Sequence, residues 1–107
     1  MPEDCIFCKI AAETPNNFVA ESEKAFAILD IKPITKGHTL VIPKKHFANL
    51  SVTDDDYLKD VIVLAKQVAK QLKEMYPDIK GFNYISNQGK EAKQVIFHLH
   101  LHVIPKY

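Results

Sequence analysis

A chain of 107 residues with 47% hydrophobic and 25% charged content has the size and make-up of one globular domain, so residues 1–107 are read as a single unit. Its net charge of +1 sets up no strong field, and all fourteen basic residues are lysine. That argues against nucleic acid as a partner, because bidentate phosphate and guanine contacts rely on the guanidinium fork. No apolar run approaches the roughly 20 residues that span a bilayer, and "MPEDCIFCKI" lacks the basic start and apolar stretch of a secretion signal, so a cytoplasmic location is expected.

In chain order, "CIFCKIAA" suits a short helix over 5–12, and "FVAES" followed by "AFAILDI" suits two strands joined by a turn near Glu23. "KPITKG" is a loop, "HTLVIP" a third strand stopped by Pro43, and "KKHFANL" a turn or helical piece carrying His46. The longest helix is expected from Thr53 to Tyr76, with Thr53 as its cap, Asp54, Asp55 and Asp56 at its positive end and Pro77 closing it. Leu58, Val61, Ile62, Ala65, Val68, Leu72 and Met75 should form its core stripe, with Lys59, Lys66, Lys70 and Lys73 towards solvent. "FNYIS" reads as a fourth strand and "NQGKEAKQ" as a polar loop turned at Gly89. The elements point to an α+β domain with a five-stranded, mainly antiparallel sheet, one long helix and one short one.

The last expected strand, "IFHLHLHVIP" at 96–105, holds three of the five histidines at alternate positions. On a strand, His98, His100 and His102 fall on one side and Phe97, Leu99, Leu101 and Val103 on the other. Neighbouring imidazoles would stand roughly 6.5 to 7 Å apart, close enough to converge on one small group or one metal. A half-exposed strand with a polar histidine face is the plainer alternative.

Cys5 and Cys8 form a C-x-x-C pair that in a reducing compartment suits a metal or a redox couple better than a structural disulfide. A tetrahedral zinc site needs four ligands and the chain has no second such pair, so histidines must complete it. The apolar pair between the cysteines and the missing βαβ context speak against a thioredoxin-type motif.

The triad, preceded by Gln94, resembles the H-x-H-x-H signature of the histidine triad family of nucleotide hydrolases and transferases. "CIFCKI", "AFAILDI", "KGHTLVIPKKH" and "NQGKEAKQVIFHLHLHVIP" are similar, in order and spacing, to its Hint-like branch. The resemblance implies a homodimer whose two sheets join, a nucleoside monophosphate bound near the triad, and a phosphoramidate-type nucleotidyl substrate. It makes His100 the nucleophile that forms a covalent nucleotidyl-histidine, with His102 binding phosphate oxygen and helping the leaving group. Asn87 and Gln94 would donate to the phosphate, Asp30 would accept from the ribose, and Ile6, Phe7, Ile10, Ile28 and Ile31 would wall the base. It also implies structural zinc on Cys5, Cys8, His46 and His98, and leaves His38 as an ordinary strand or loop residue.

The chain departs from that family where Gly-Gln-Ser-Val is usual: "KQVI" puts Lys93 for the glycine and Val95 for the serine. The cradle at Val95 would keep main-chain N–H groups but lose a hydroxyl donor, and such a loss can lower turnover by roughly 10²-fold or more. Two other readings follow: a nucleotide-binding or interaction module with weak chemistry, and a metalloprotein in which all three triad histidines hold one catalytic ion.

Overall fold

Cys5 caps the first helix with its sulfur, which accepts the Cys8 N–H at 3.4 Å, and α1 runs Ile6–Glu13. The computed structural model describes residues 4–107. β1 (Ala20–Glu21) and β2 (Ala25–Leu29) form the first hairpin, and β3 (Thr39–Pro43) returns beside β2. α2 (Asp55–Met75) follows, then β4 (Gly81–Ile85) and β5 (Leu101–Lys106). All neighbours are antiparallel in the order β1-β2-β3-β5-β4, so β5 lies between β3 and β4. This is the α+β architecture expected from the element pattern.

The two faces of the sheet carry different helices. Ala25, Ala27, Val41, Leu101 and Val103 pack with Val61, Leu64, Ala65, Val68 and Leu72 of α2. Phe26, Ile28, Leu40 and Ile42 point the other way, towards Cys5, Phe7 and Cys8 of the α1 segment. Period-2 alternation on each strand makes this division. Gly37, at φ +90°, makes the β2–β3 turn; a Cβ there would also meet Leu72 Cδ2 at 3.0 Å.

Several boundaries differ from the sequence expectation for physical reasons. Asp54, not Thr53, is the N-cap residue of α2: the Asp54 carbonyl accepts the Leu58 N–H at 2.9 Å, while the Thr53 hydroxyl donates to Asn49 O at 2.7 Å. The buried face of α2 takes in Leu64 and Ala69, while Ile62 and Met75 are exposed. Ile62 sits on the flank of the buried arc centred on Ala65 and Val68, and Met75 is the last residue of the helix. Lys59, Lys66, Lys70 and Lys73 face solvent as expected.

The triad segment is strand only from Leu101. Ahead of it the chain leaves the ladder: the Leu99 N–H goes to Phe47 O at 2.7 Å, and Ser86 Oγ donates to His100 O at 3.0 Å. Leu99, Leu101 and Val103 are buried together as the alternation requires, but Phe97 is exposed because the chain has left the sheet by then.

Candidate functional site

Two clusters of side chains grow from this departure. In the first, His98 is fully buried, and its Nδ1 lies 3.3 Å from Cys5 Sγ, 3.5 Å from Cys8 Sγ and 3.1 Å from His46 Nδ1. Cys8 Sγ is 3.3 Å from His46 Nδ1. Donor atoms around a tetrahedral ion with bonds of about 2.0–2.3 Å stand roughly 3.3–3.8 Å apart, so these four atoms are spaced to hold one metal ion. His98 Nε2–H donates to Pro43 O at 3.0 Å, which leaves Nδ1 with its lone pair towards the sulfurs. Burial, with the neighbouring Cys5 sulfur, pushes the Cys8 thiol up to about 11, and burial pushes His98 down to about 4. A cation among these donors would displace the thiol proton and favour the neutral imidazole.

The second cluster is a chain of imidazoles. His100 Nδ1–H donates to His98 O at 2.8 Å, so the lone pair of His100 is on Nε2. His38 Nδ1 accepts the Ile34 N–H at 3.1 Å, which puts the His38 proton on Nε2. That nitrogen is 2.9 Å from His102 Nδ1 and 3.5 Å from Asp30 Oδ2. His102 therefore accepts at Nδ1 and carries its own proton on Nε2. Burial pushes both His38 and His102 below the ordinary imidazole value, against the upward pull of Asp30, so both rings are neutral near pH 7. The same three side chains, Asp30, His38 and His102, lie within metal-ligating distance of one another. The Ile34 N–H on His38 Nδ1 opposes such a site, since a metal at Nε2 would require a proton where that N–H already points.

The result is two neighbouring imidazoles in opposite states: His100 offers a lone pair and His102 a proton. Both line a cavity of about 560 Å³. Ile6, Phe7, Ile10, Ile28, Asp30 and Ile31 line it too, as do Asn87 and Val95. Phe7 presses edge-on against His100 with ring centres 5.1 Å apart and against His98 at 5.9 Å, so α1 steadies both rings. Ile31 is 93% exposed and Val95 84%, apolar surface left open at the rim of the cavity.

The HIT domain family model matches residues 11–107. This chain belongs to the histidine triad family. A HIT-like protein of Mycoplasma pneumoniae is 50% identical over 97% of this chain and 72% of its own length. An adenosine 5'-monophosphoramidase of Candida albicans is 43% identical, covering 95% of this chain and 70% of its own. A crystal structure of a zinc-bound histidine triad family protein from Mycobacterium smegmatis superposes with a TM-score of 0.89 at 38% identity, over 97% of this chain and 76% of the other. The likeness to adenosine 5'-monophosphoramidases places the chain in the Hint-like branch.

Within this histidine triad domain most of the expected residues converge, and two take other parts. Gln94, expected to donate to a phosphate, is buried with its amide occupied: Nε2 donates to Ala48 O at 2.6 Å and Ile96 O at 3.1 Å, and Oε1 accepts the Gly89 N–H at 2.9 Å. Its side chain pins the 89–94 loop. His38, taken from the sequence as an ordinary residue, fixes the protonation of His102. His38 shares the face of Leu40, which pairs with His102 in the sheet, a neighbourhood that only the strand pairing reveals.

Proposed function

We propose that this protein hydrolyses nucleoside 5'-phosphoramidates, or transfers their nucleotidyl group, through a covalent nucleotidyl-histidine on His100. The observation that carries the reading is the His100 Nδ1–H bond to the His98 carbonyl, which supplies a neutral ring nitrogen, Nε2, with its lone pair free for phosphorus. Lysine could not serve, being protonated at neutral pH. As the P–N bond lengthens, its electron pair goes to the leaving nitrogen, and His102 Nε2–H shares its proton there; the water that cleaves the intermediate returns that proton. Asn87 donates to the phosphoryl oxygens, the Gln94-pinned loop with Val95 frames them, and Asp30 accepts from the ribose. Ile6, Phe7 and Ile31 cover the base. The 43% identity to an adenosine 5'-monophosphoramidase supports the substrate class.

Zinc suits the Cys5, Cys8, His46 and His98 donor set, two thiolates and two imidazoles. Bound there it would be a structural cross-link, tying the start of α1 to the segments that follow β3 and precede β5. Those four donors form one cluster apart from His100 and His102, which speaks against a catalytic ion held by the whole triad. Free thiols suit a cytoplasmic protein, and no helix among the described residues is long and apolar enough to cross a membrane.

We further propose a homodimer built on β4. It is an edge strand of the sheet, with Tyr84 and Ile85 exposed, and a second copy paired there would extend the ladder across both subunits. Sedimentation should give twice the monomer mass.

The deciding test of the activity is His100→Gly with adenosine 5'-phosphoramidate as substrate. The variant should fold and bind AMP while losing at least about 10³-fold in kcat. Amine release at the unaltered rate removes His100 from the chemistry. AMP binding by the unaltered protein without turnover would favour a binding module, the reading that Val95 in place of a serine keeps open.

A further inference from the structure

Lys93 is, among the described residues, the one non-glycine with a positive φ, +68°. It closes the turn Lys90–Ala92 in the left-handed region, a conformation that is strained for a lysine and that glycine would adopt freely. Its N–H is held on Lys90 O at 3.0 Å, and Gln94 N–H on Gly89 O at 3.0 Å, so the turn is fixed by its own backbone. Lys93 also lines the cavity with His100 and His102 and takes no part in the ion pairs found among the described residues.

Charge in the cavity is unevenly supplied. His38 and His102 are held neutral by burial, and the charged lining residues are Asp30, Lys32 and Lys93. Asp30 and Lys32 come together from the end of β2, where the Lys32 N–H binds Asp30 Oδ1 at 2.9 Å. Lys93 comes from the β4–β5 connection. Resting on the reading that Asp30 takes the ribose, His100 the phosphorus, and Asn87 and Val95 flank the phosphoryl oxygens, the leaving group departs past the Lys93 turn, and the cation on that side is Lys93.

We propose that Lys93 is a specificity residue that favours substrates whose leaving group carries negative charge, a carboxylate or a phosphate, over those with a neutral leaving group. With a carboxylate-bearing amine, His100 Nε2 bonds to phosphorus, the P–N bond breaks with its electron pair on nitrogen, and the amine leaves with a proton from His102 Nε2, which the attacking water later returns. With a phosphate, the P–O bond breaks and the pair remains on the departing oxygen. In either case water then breaks the bond between phosphorus and His100, giving the nucleoside monophosphate. Lys93 stabilises the anion in both the bound state and the transition state, so its effect appears in affinity as well as rate.

The test compares two isosteric substrates, the adenosine 5'-phosphoramidates of glycine and of glycinamide, with ADP against AMP as the phosphate arm. The unaltered protein should prefer the glycine substrate by about 5-fold in kcat/KM, a preference lost in Lys93→Met and reversed in Lys93→Glu. Raising the salt concentration should shrink it, since an exposed charge acts over a Debye length of only ~10 Å at 0.1 M. Calorimetry should show the ADP over AMP preference falling in the same order of variants. Ratios that are the same in all three proteins, in rate and in affinity, overturn the assignment. If none of the substrates is turned over but the ADP preference tracks position 93, the charge selection stands and the catalytic reading falls.

Discussion

His38 and His102 face each other through ring nitrogens 2.9 Å apart, and the Ile34 N–H on the far nitrogen of His38 decides which of the two gives the proton. Replacing His38 by alanine removes the donor that holds His102 in its Nε2–H form. The expected loss is about 10²-fold in kcat, with KM for the nucleotide changed far less. The loss should grow as the leaving amine becomes more basic, because a poorer leaving group depends more on the proton. A uniform loss across a series of amines would mean that His38 only supports the fold.

Restoring a hydroxyl at the rim of the cavity should help the reaction. Val95 is exposed beside the triad, so Val95→Ser costs little packing and adds a donor for developing phosphoryl charge. An increase of about 10-fold in kcat is expected in steady-state assays. No change would place the charge stabilisation on the remaining donors.

Metal removal should weaken the fold and the site together. The cluster joins residues as far apart as Cys5 and His98, and α1, of 8 residues, is too short to persist alone. Chelation, or Cys8→Ser, should lower Tm by at least about 10 °C and slow turnover by releasing Phe7 from His100. Metal analysis should find one zinc per chain, absent in Cys8→Ser. A metal content that survives that substitution would mean a different ligand set.

Acid should destabilise the metal-free protein in a defined window. His38, His98 and His102 are all held below the ordinary imidazole value of about 6.5, with burial the leading cause. Between the folded and unfolded values the unfolded chain binds more protons, so stability is fully present above about pH 6.5 and falls as the pH drops through that range. For His98, held at about 4, the contribution at stake is about 3 kcal/mol. Urea unfolding of the chelated protein at pH 7.5 and pH 5 should show about 2 kcal/mol of it, since pH 5 still lies above the folded value. Equal midpoints at the two values would contradict the buried, neutral state of these rings.

Much of the fold was legible because it is written in short-range patterns. The short apolar runs in "AFAIL" and "TLVIP", bounded by turn residues, marked β2 and β3, and the acidic start and Pro77 bracketed α2 to within two residues. The metal donors and the two reactive histidines could be named from motif and resemblance. What escaped depends on contacts between distant parts of the chain. The loss of strand pairing before Leu101 is set by Phe47 and Ser86, and the role of His38 by a ring 64 positions away. The Gln94 amide is of the same kind, since a side-chain amide can satisfy a loop as readily as a ligand and only its partners distinguish the two.

From residue 98 to residue 102 the same five positions furnish both a lining for the interior and the reacting groups, in strict alternation. Slipping this stretch by a single residue, through an insertion or a deletion, would trade every imidazole for an apolar side chain and turn the core inside out at the same stroke. Such a chain can be tuned by exchanging side chains, but it leaves no room for a change in length there.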